Sequence, residues 1–219
     1  MRFELFKELI LSIPKTIYFN FHYFPIKTAI VFPVIISRKI KLKSLDGEII
    51  LPNYISTGII KIGFSGSYAL GTTGYFENNG ILQFDGKATF SRGIQLIIGK
   101  GGVMVFGKDF RCNANCILNA GSKIKFGDDC LLSWNVTVLD GDGHEIFELN
   151  KEEDRKEKNF IIIGNHVWIC ANSTILKGAT VGDNSVLAAH SIISKSNELE
   201  NALLGGENKI IKQDINWKN

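Results

Sequence analysis

The sequence repeats most regularly in residues 163–196, which read Ile163-Gly164-Asn165-His166-Val167-Trp168-Ile169-Cys170-Ala171-Asn172-Ser173-Thr174-Ile175-Leu176-Lys177-Gly178-Ala179-Thr180-Val181-Gly182-Asp183-Asn184-Ser185-Val186-Leu187-Ala188-Ala189-His190-Ser191-Ile192-Ile193-Ser194-Lys195-Ser196. Val, Ile or Leu stands at every sixth position, at 163, 169, 175, 181, 187 and 193. A period of six fits neither the 3.6 of an α-helix nor the 2.0 of a flat strand. Hexapeptide periodicity is the signature of a parallel β-helix, and here each turn would hold three short strands and three corners.

A looser version of the same pattern begins near residue 58. Its members are Ile60-x-Ile62-Gly63, Leu82-x-Phe84-Asp85, Met104-x-Phe106-Gly107, Ile124-x-Phe126-Gly127 and Ile161-x-Ile163-Gly164. Each predicts two inward residues of a strand followed by a corner. The phenylalanines of three successive members should stack into an aromatic column inside the coil. Strands about 4.8 Å apart would give seven or eight coils and a prism roughly 35–40 Å long.

The regular spacing is interrupted after residue 138. The hexads Phe126, Leu132 and Val138 place the next inward position at 144, which is a histidine. The chain should therefore leave the coil near His144 and return near Ile161. This excursion contains residues 148–158, of which nine of eleven are charged. Such a run predicts a solvated loop, and its place after a histidine allows it to overhang a cleft.

Three short motifs make the chain resemble the hexapeptide-repeat acyltransferases, whose coils form a left-handed β-helix. They are Asp140-Gly141-Asp142-Gly143-His144, Val167-Trp168-Ile169 and Ile175-Leu176-Lys177-Gly178. The resemblance is greatest to the members that acetylate sugars of cell-surface polysaccharides. We therefore expect an all-β protein, a left-handed parallel β-helix with a short N-terminal helical segment and a loop excursion after His144.

The N-terminal segment shows helical rather than hexapeptide spacing. Phe3, Phe6, Leu9, Ile10 and Ile13 predict a short amphipathic helix that ends at Pro14. The helix either packs across one end of the prism or lies on a membrane surface, where nearby aromatic and basic residues would support it. We divide the chain into an N-terminal helix and aromatic cap segment (1–40), a β-helix acyltransferase domain (41–196) and a C-terminal tail (197–219).

Composition limits the other classes of function. Hydrophobic residues make up 45%, charged residues 21%, and the net charge is +3, which is ordinary for a globular protein and argues against a nucleic-acid partner. The four cysteines lack zinc-site spacing, so we expect reduced thiols and no metal. No secretory signal pattern appears, and the longest apolar run is far short of the roughly twenty residues of a membrane span. We expect a cytoplasmic protein, with peripheral contact to the inner face of the membrane as one interpretation.

Acyl transfer from a thioester needs a general base, and histidine suits that role because it titrates near neutrality. His22 lies among aromatic residues and is interpreted as structural, while His166 and His190 are interpreted as solvated corner residues. His144 stands where the coil breaks and matches the catalytic histidine of the resembled family. Asp142 is a candidate partner for its imidazole or for a sugar hydroxyl, or else simply a turn residue between two glycines.

The resemblance also implies positions for the two substrates. Asn135 and Trp168 match positions that line the acceptor and thioester region, although simple packing would explain either residue. Acetyl-CoA, as co-substrate, would lie in a groove between neighbouring prisms of a homotrimer. Its contacts would be the backbone at Ala171 and Ala189, then Ser194 and Lys195, with the lysine on a phosphate.

Three departures from the family pattern concern the expected cofactor groove and the C-terminal turn. Cys170 and His190 stand where glycines are usual. The turn Gly205-Gly206-Glu207-Asn208-Lys209 lacks the usual proline.

The predicted function is transfer of an acetyl group from acetyl-CoA to a sugar hydroxyl of a cell-surface polysaccharide or its precursor. Two alternatives remain open at this point. One is N-acetylation of an amino-sugar nucleotide, and the other is a non-catalytic β-helix that serves as a scaffold.

Overall fold

A computed structural model describes residues 2–64, 72–141, 143–144 and 160–218. Three helices come first: α1 (Arg2–Leu11), α2 (Ile13–Tyr23) and α3 (Ile26–Ala29). The strands that follow are β1 (Val34–Ile36), β2 (Ile40–Ser44), β3 (Glu48–Ile50), β4 (Ile60–Ile62), β5 (Gly74–Asn78), β6 (Ile81–Phe84), β7 (Ala88–Phe90), β8 (Gln95–Ile98), β9 (Val103–Phe106), β10 (Phe110–Cys112), β11 (Ile117–Ala120), β12 (Lys123–Phe126), β13 (Leu131–Leu132), β14 (Thr137–Leu139), β15 (Ile161–Ile163), β16 (Trp168–Ile169), β17 (Thr174–Leu176), β18 (Thr180–Val181), β19 (Val186–Leu187), β20 (Ile192–Ile193), β21 (Ser196–Asn197), β22 (Leu203–Gly205) and β23 (Lys209–Lys212).

The strands form three sheets, which are the faces of a triangular prism. Sheet A has the order β1-β4-β7-β10-β13-β16-β19-β22-β23, sheet B β2-β5-β8-β11-β14-β17-β20, and sheet C β3-β6-β9-β12-β15-β18-β21. Every third strand along the chain therefore joins the same sheet, and the pairs within the coil are parallel, as in β13 with β16. Each turn of chain adds one strand to each face, which confirms the predicted parallel β-helix.

The inward side chains form one continuous core. Phe84, Phe106 and Phe126 are at most 1% exposed, and their rings stack at centroid distances of 5.5 and 5.4 Å. These are the phenylalanines that the repeat predicted to form an aromatic column. Phe90 and Phe110 pack beside them, with centroids 5.4 Å apart. The column is core and leaves the outer faces for binding.

The corners between sheets repeat as regularly as the strands. We name them AB, BC and CA after the sheets that each corner joins. At the AB corner Asn115, Asn135, Asn172 and His190 have φ between 58° and 62°, and at the CA corner Asp109, Asp129, His166, Asn184 and Asn201 have φ between 52° and 59°. Asn, Asp and His are the residues other than glycine that enter this left-handed region most readily, so the corner conformation explains their recurrence.

The N-terminal helices differ from the prediction at Pro14. The sequence predicted that Pro14 ends a single short helix, but Pro14 lies in the first turn of α2 instead. Proline is tolerated there because the missing N–H would have no partner within the helix. The three helices cover the first end of the coil, and the Phe19 ring of α2 meets the Phe76 ring of β5 at 5.1 Å. Among the helices of the described ranges, none is long and apolar enough to cross a membrane.

The coil is interrupted where the sequence predicted. β14 ends at Leu139, β15 begins at Ile161, and His144 follows β14 closely. Asp142 and residues 145–159, which include the charged run, lie outside the described residues. At the C-terminal end β22 continues sheet A, and β23 reverses to pair with it in antiparallel fashion.

Candidate functional site

His144 lies at the BC corner, where the chain leaves sheet B, and its side chain is exposed. The start of this segment is held by Asp140, which is only 1% exposed. Asp140 Oδ1 accepts a hydrogen bond from the Gly121 N–H at 2.6 Å, and Oδ2 accepts one from the Ser122 N–H at 2.9 Å. The motif that suggested a catalytic histidine thus contains a carboxylate that ties the segment to the preceding coil.

The predicted partner of His144, Asp142, falls outside the described residues. Its role therefore stays a prediction from the sequence. The neighbouring Gly143 has φ 73°, a backbone conformation that favours glycine. The chain turns sharply just before His144 and presents the imidazole to solvent.

Trp168 lies on the outer side of sheet A, half-buried. Its indole Nε1 donates to Ser133 Oγ at 3.0 Å, and its ring lies 5.9 Å from the ring of Trp217, tilted by 41°. Ser133 belongs to the AB corner of the preceding coil. The orientation of Trp168 is therefore fixed by two residues that sequence reasoning did not assign to the site.

His166 is more enclosed than the solvated corner residue that the sequence suggested. Its Nδ1 lies 2.7 Å from Asp129 Oδ2, and its Nε2 lies 3.1 Å from the Trp217 carbonyl oxygen. The imidazole also stacks on the Trp217 ring, with centroids 4.2 Å apart and planes within 7°. Because both ring nitrogens face oxygen acceptors, His166 is poorly placed to take a proton from a substrate.

The AB corner carries a ladder of polar side chains, which we call the asparagine ladder: Asn135, Asn172 and His190. Asn135 Nδ2 donates to Asn172 Oδ1 at 3.0 Å, and Asn172 Nδ2 lies 3.3 Å from His190 Nε2. Ala171 and Ala189, the predicted cofactor contacts, directly precede two members of this ladder. The ladder explains how His190 replaces glycine, since its backbone takes the left-handed conformation and its exposed ring joins Asn172.

The predicted phosphate contacts lie at the BC corner. The amides of Ser194 and Lys195 both donate to Asn208 Oδ1, at 2.8 and 3.1 Å, and Asn208 Nδ2 donates back to Ser194 Oγ at 3.0 Å. Asn208 belongs to the turn that lacks the family's proline. Its side chain holds the corner, while the Lys195 side chain remains exposed.

The predicted site residues therefore fall into separate groups on one chain. His144, Ser194 and Lys195 share the BC corner, and His144 is two coils away from the lysine. The second group is at the AB corner, on the other side of sheet B, and comprises Asn135, Ala171 and Ala189. Trp168 lies on sheet A. A single prism does not bring the predicted base, the predicted acceptor contacts and the predicted cofactor contacts to one place.

A shallow groove of about 730 Å³ runs along the outer side of sheet A. Its lining includes Lys87, Thr89, Asp109, Arg111, Asp129 and Leu131. Arg111 Nη2 donates to Asp129 Oδ1 at 2.8 Å, which links the groove to the His166 contact. The groove is lined by outward residues of successive strands. The identities of these residues do not distinguish the groove from ordinary polar surface, so the sequence alone did not predict it.

The cysteines do not supply a competing nucleophile. All four are free, Cys112, Cys116 and Cys130 are buried, and Cys170 is half-buried. Burial raises the pKa of the Cys170 thiol, and it raises the pKa of Cys130 to about 12. A protonated thiol is a weak nucleophile, so covalent catalysis through Cys170 is disfavoured near neutral pH. In the described residues no group of three His, Cys, Asp or Glu side chains is placed to hold a metal ion.

Comparison with known proteins agrees with the repeat pattern. Residues 160–195 match the family described as bacterial transferase hexapeptide (six repeats). The chain is similar to the galactoside O-acetyltransferase of Escherichia coli K12, with 36% identity over 41% of this chain and 43% of that protein. It is also similar to the polysialic acid O-acetyltransferase of Escherichia coli O1:K1, with 26% identity over 56% of this chain and 40% of the relative. The chain thus spans less than half the length of these two relatives.

A solved structure shows the same architecture. The crystal structure of the polySia specific acetyltransferase NeuO superposes with a TM-score of 0.53 and 21% identity, over 82% of this chain and 72% of the other. The fold is accordingly a left-handed parallel β-helix with a short N-terminal helical part. The strand order and the six-residue period agree with the match of residues 160–195, so this chain resembles the hexapeptide-repeat transferases in both sequence and fold.

Proposed function

We propose that this protein transfers an acetyl group from acetyl-CoA to a sugar hydroxyl of a cell-surface polysaccharide or its precursor. The observation that carries the proposal is the exposed His144, held at the break in the coil by the buried carboxylate of Asp140. The names of the similar galactoside and polysialic acid O-acetyltransferases support the reaction class.

The chemistry needs only one proton carrier. In the proposed reaction the His144 imidazole takes the proton of the sugar hydroxyl as its oxygen attacks the thioester carbonyl. The tetrahedral intermediate then collapses, the C–S bond breaks, and CoA leaves as a thiol after taking that proton from the imidazolium. Asp142 would orient the imidazole or a neighbouring sugar hydroxyl. Backbone N–H groups at the edge of the rigid coil are the donors available to the oxyanion.

The residues at the two predicted cofactor corners suit acetyl-CoA. Lys195 is exposed and its amide is fixed by Asn208, so a phosphate would meet a charge on a rigid corner. Ala189 is exposed and Ala171 half-exposed, which leaves their corner accessible to an extended chain. Of the two residues that replace glycine, Cys170 is half-buried and the exposed His190 ring contacts Asn172.

We infer that the working site forms between the prisms of a homotrimer. On one chain His144 and the Ala171 corner are separated by the whole of sheet B. If the corners of two prisms face each other, the base of one chain can meet the cofactor contacts of the next. The cytoplasm, which supplies acetyl-CoA, is the proposed compartment.

The acceptor is inferred to be a neutral hydroxyl. Trp134, beside Asn135 at the AB corner, is 40% exposed and offers an aromatic surface next to a hydrogen-bonding group, as carbohydrate ligands require. Purified protein should release CoA in the presence of neutral sugars or oligosaccharides, with the His144→Ala variant as the blank. Release with amino-sugar nucleotides alone would instead establish N-acetylation, and no release with either class would favour a non-catalytic scaffold.

A further inference from the structure

The N-terminal helices are oriented with their polar side chains toward the coil. Four polar residues of α1, of α2 and of the junction between them are buried: Glu8, Ser12, Thr16 and Asn20, of which Ser12 and Asn20 are completely inaccessible to solvent. A helix on the surface of a globular protein normally turns its apolar face inward and its polar face to water. These two helices show the reverse, although Phe19 still packs into the core.

The inward polar face is explained by the open edge of sheet A. Asn20 donates to the Val34 carbonyl at 2.7 Å and accepts from the Val34 N–H at 3.2 Å. Thr16 Oγ1 makes the same pair of contacts with Ile36, at 3.3 and 3.2 Å, and Ser12 Oγ accepts from the Arg38 N–H at 2.9 Å. β1 is the edge strand of sheet A, and these side chains form the hydrogen bonds that a neighbouring strand would otherwise make with its backbone. The rotation of α2 about its axis is therefore fixed.

As a result, the outer face of the helices is apolar. Of nineteen large apolar side chains exposed in the described residues, ten lie between residues 5 and 30: Leu5, Phe6, Ile10, Leu11, Ile13, Ile17, Tyr18, Phe21, Ile26 and Ile30. Ile26 is 71% exposed and Phe6 60%. Exposed apolar side chains are normally scattered singly over a soluble surface, so ten of them between residues 5 and 30 indicate an interaction surface. We call this set of ten residues the apolar cap.

Positive charge is concentrated at the same end. Residues 1–43 contain eight Lys or Arg against two Glu, a net charge of +6, whereas the whole chain carries +3, so residues 44–219 carry a net −3. Lys7, Lys27 and Lys41 are exposed, and Lys43 is exposed but lies 3.6 Å from the Glu77 carboxylate. Glu8 is buried and accepts hydrogen bonds from Ser37 Oγ and Arg38 Nε, so it offers no free negative charge to a partner.

We propose that the apolar cap docks on the surface of an anionic phospholipid bilayer. The helices would lie in the interface with their apolar side chains among the upper acyl chains and the lysines at the headgroups, and the prism would stand away from the membrane. A second copy of the chain is a poorer occupant because it would bring together two N-terminal segments that each carry a net positive charge. The inference does not depend on the acetyltransferase activity, although docking would bring a lipid-linked acceptor close to the enzyme.

The test is co-sedimentation of the full chain with vesicles of phosphatidylcholine, with or without about one third phosphatidylserine. We expect binding to the anionic vesicles about tenfold stronger than to the neutral ones, and weaker in high salt. Replacing two apolar-cap residues, as in Phe6→Ser with Ile26→Ser, should reduce binding to anionic vesicles about tenfold or more. The charge variant Lys7→Glu with Lys27→Glu should reduce it as well.

The matched control is Ile210→Ser with Ile211→Ser, which alters two apolar side chains, 47% and 59% exposed, on β23 at the far end of the coil. This variant should bind vesicles like the unaltered protein. His144→Ala should also bind normally, and the apolar-cap variant should keep its activity on a soluble acceptor, so the docking and catalytic proposals can fail separately. Equal binding by all variants, or no binding to anionic vesicles at low salt, would overturn the docking proposal. So would a shift of the apolar-cap variant to a smaller oligomer, which would identify a second copy as the occupant.

Discussion

The carboxylate of Asp140 is hydrogen-bonded to the amide of Gly121, with Oδ1 2.6 Å from the nitrogen, across one step of the coil. Its second oxygen binds the next amide, that of Ser122. Both donors belong to the BC corner that precedes the break in the coil. Asp140 therefore acts as a positioning residue, since it fixes the point from which the His144 segment departs.

Asp140→Asn should lower kcat about tenfold while KM for acetyl-CoA stays nearly unchanged. An amide can accept from only one of the two N–H groups and presents a donor to the other, so the free energy of unfolding should fall by about 1–3 kcal/mol. Steady-state kinetics and thermal unfolding would measure both effects. Asp85→Asn, at an exposed carboxylate that accepts from Gln83, is the control and should be nearly silent. A higher KM with unchanged kcat would argue against a positioning role.

His144→Ala should lower the turnover number by about 10²–10⁴, the usual contribution of a general base, with acetyl-CoA binding preserved. Turnover and cofactor affinity need separate measurement, by CoA release and by calorimetry. His22→Ala is the control, because the His22 ring contacts the Leu45 carbonyl near the N-terminal helices. A mild loss of turnover in His144→Ala, together with a large loss in His166→Ala or His190→Ala, would assign the catalytic role to another histidine.

Trp217→Ala should destabilise the fold by about 3–5 kcal/mol because a mostly buried indole is removed. The same substitution removes the stacking partner of the His166 ring and the hydrogen bond from Trp217 Nε1 to the His166 carbonyl. His166→Ala and the double variant should then show strongly non-additive effects on the unfolding free energy. Denaturant titration measures these values, and simple additivity would show that the two residues stabilise the protein independently.

Light scattering should give a mass three times the 24.3 kDa of one chain. The reason is the distribution of the predicted site over corners that one prism keeps apart. The measurement belongs at the concentrations used for the activity assay. A monomer that is fully active would refute the shared site.

The protein should lose stability in alkali through its buried thiols. Burial raises the pKa of Cys130 to about 12, above the roughly 8.5 of an exposed thiol in the unfolded chain. Between these two pKa values the unfolded chain has lost the thiol proton that the folded protein keeps. The free energy of unfolding is therefore unaffected by the ionisation of Cys130 below about pH 8.5, and it falls by about 1.4 kcal/mol per pH unit as the pH rises toward 12. Cys130→Ala should show a shallower decline in the unfolding free energy between pH 9 and 11. An unchanged slope would contradict this assignment.

The repeat made most of the coil predictable, because one inward aliphatic every sixth residue is a local signal. Left-handed corners such as those at Asn172 and His190 follow the same period. The contact between His166 and Trp217 joins residues 51 positions apart across an irregular tail, and no local pattern encodes it. Helical spacing likewise identified α1 but did not show which face of the helix is buried. The buried face of the helical segment is polar because it meets the free backbone groups at the edge of β1, which are distant in sequence.

The antiparallel turn of β23 onto β22 has a consequence for assembly. A solenoid whose last strand is open can pair with the first strand of another molecule and grow into a fibril. Here the outermost strand of sheet A runs in the wrong direction for another coil, and lysines stand at both of its ends, Lys209 and Lys212. With the side chains of α2 bonded to the opposite edge, neither end of sheet A presents a parallel strand onto which another coil could stack.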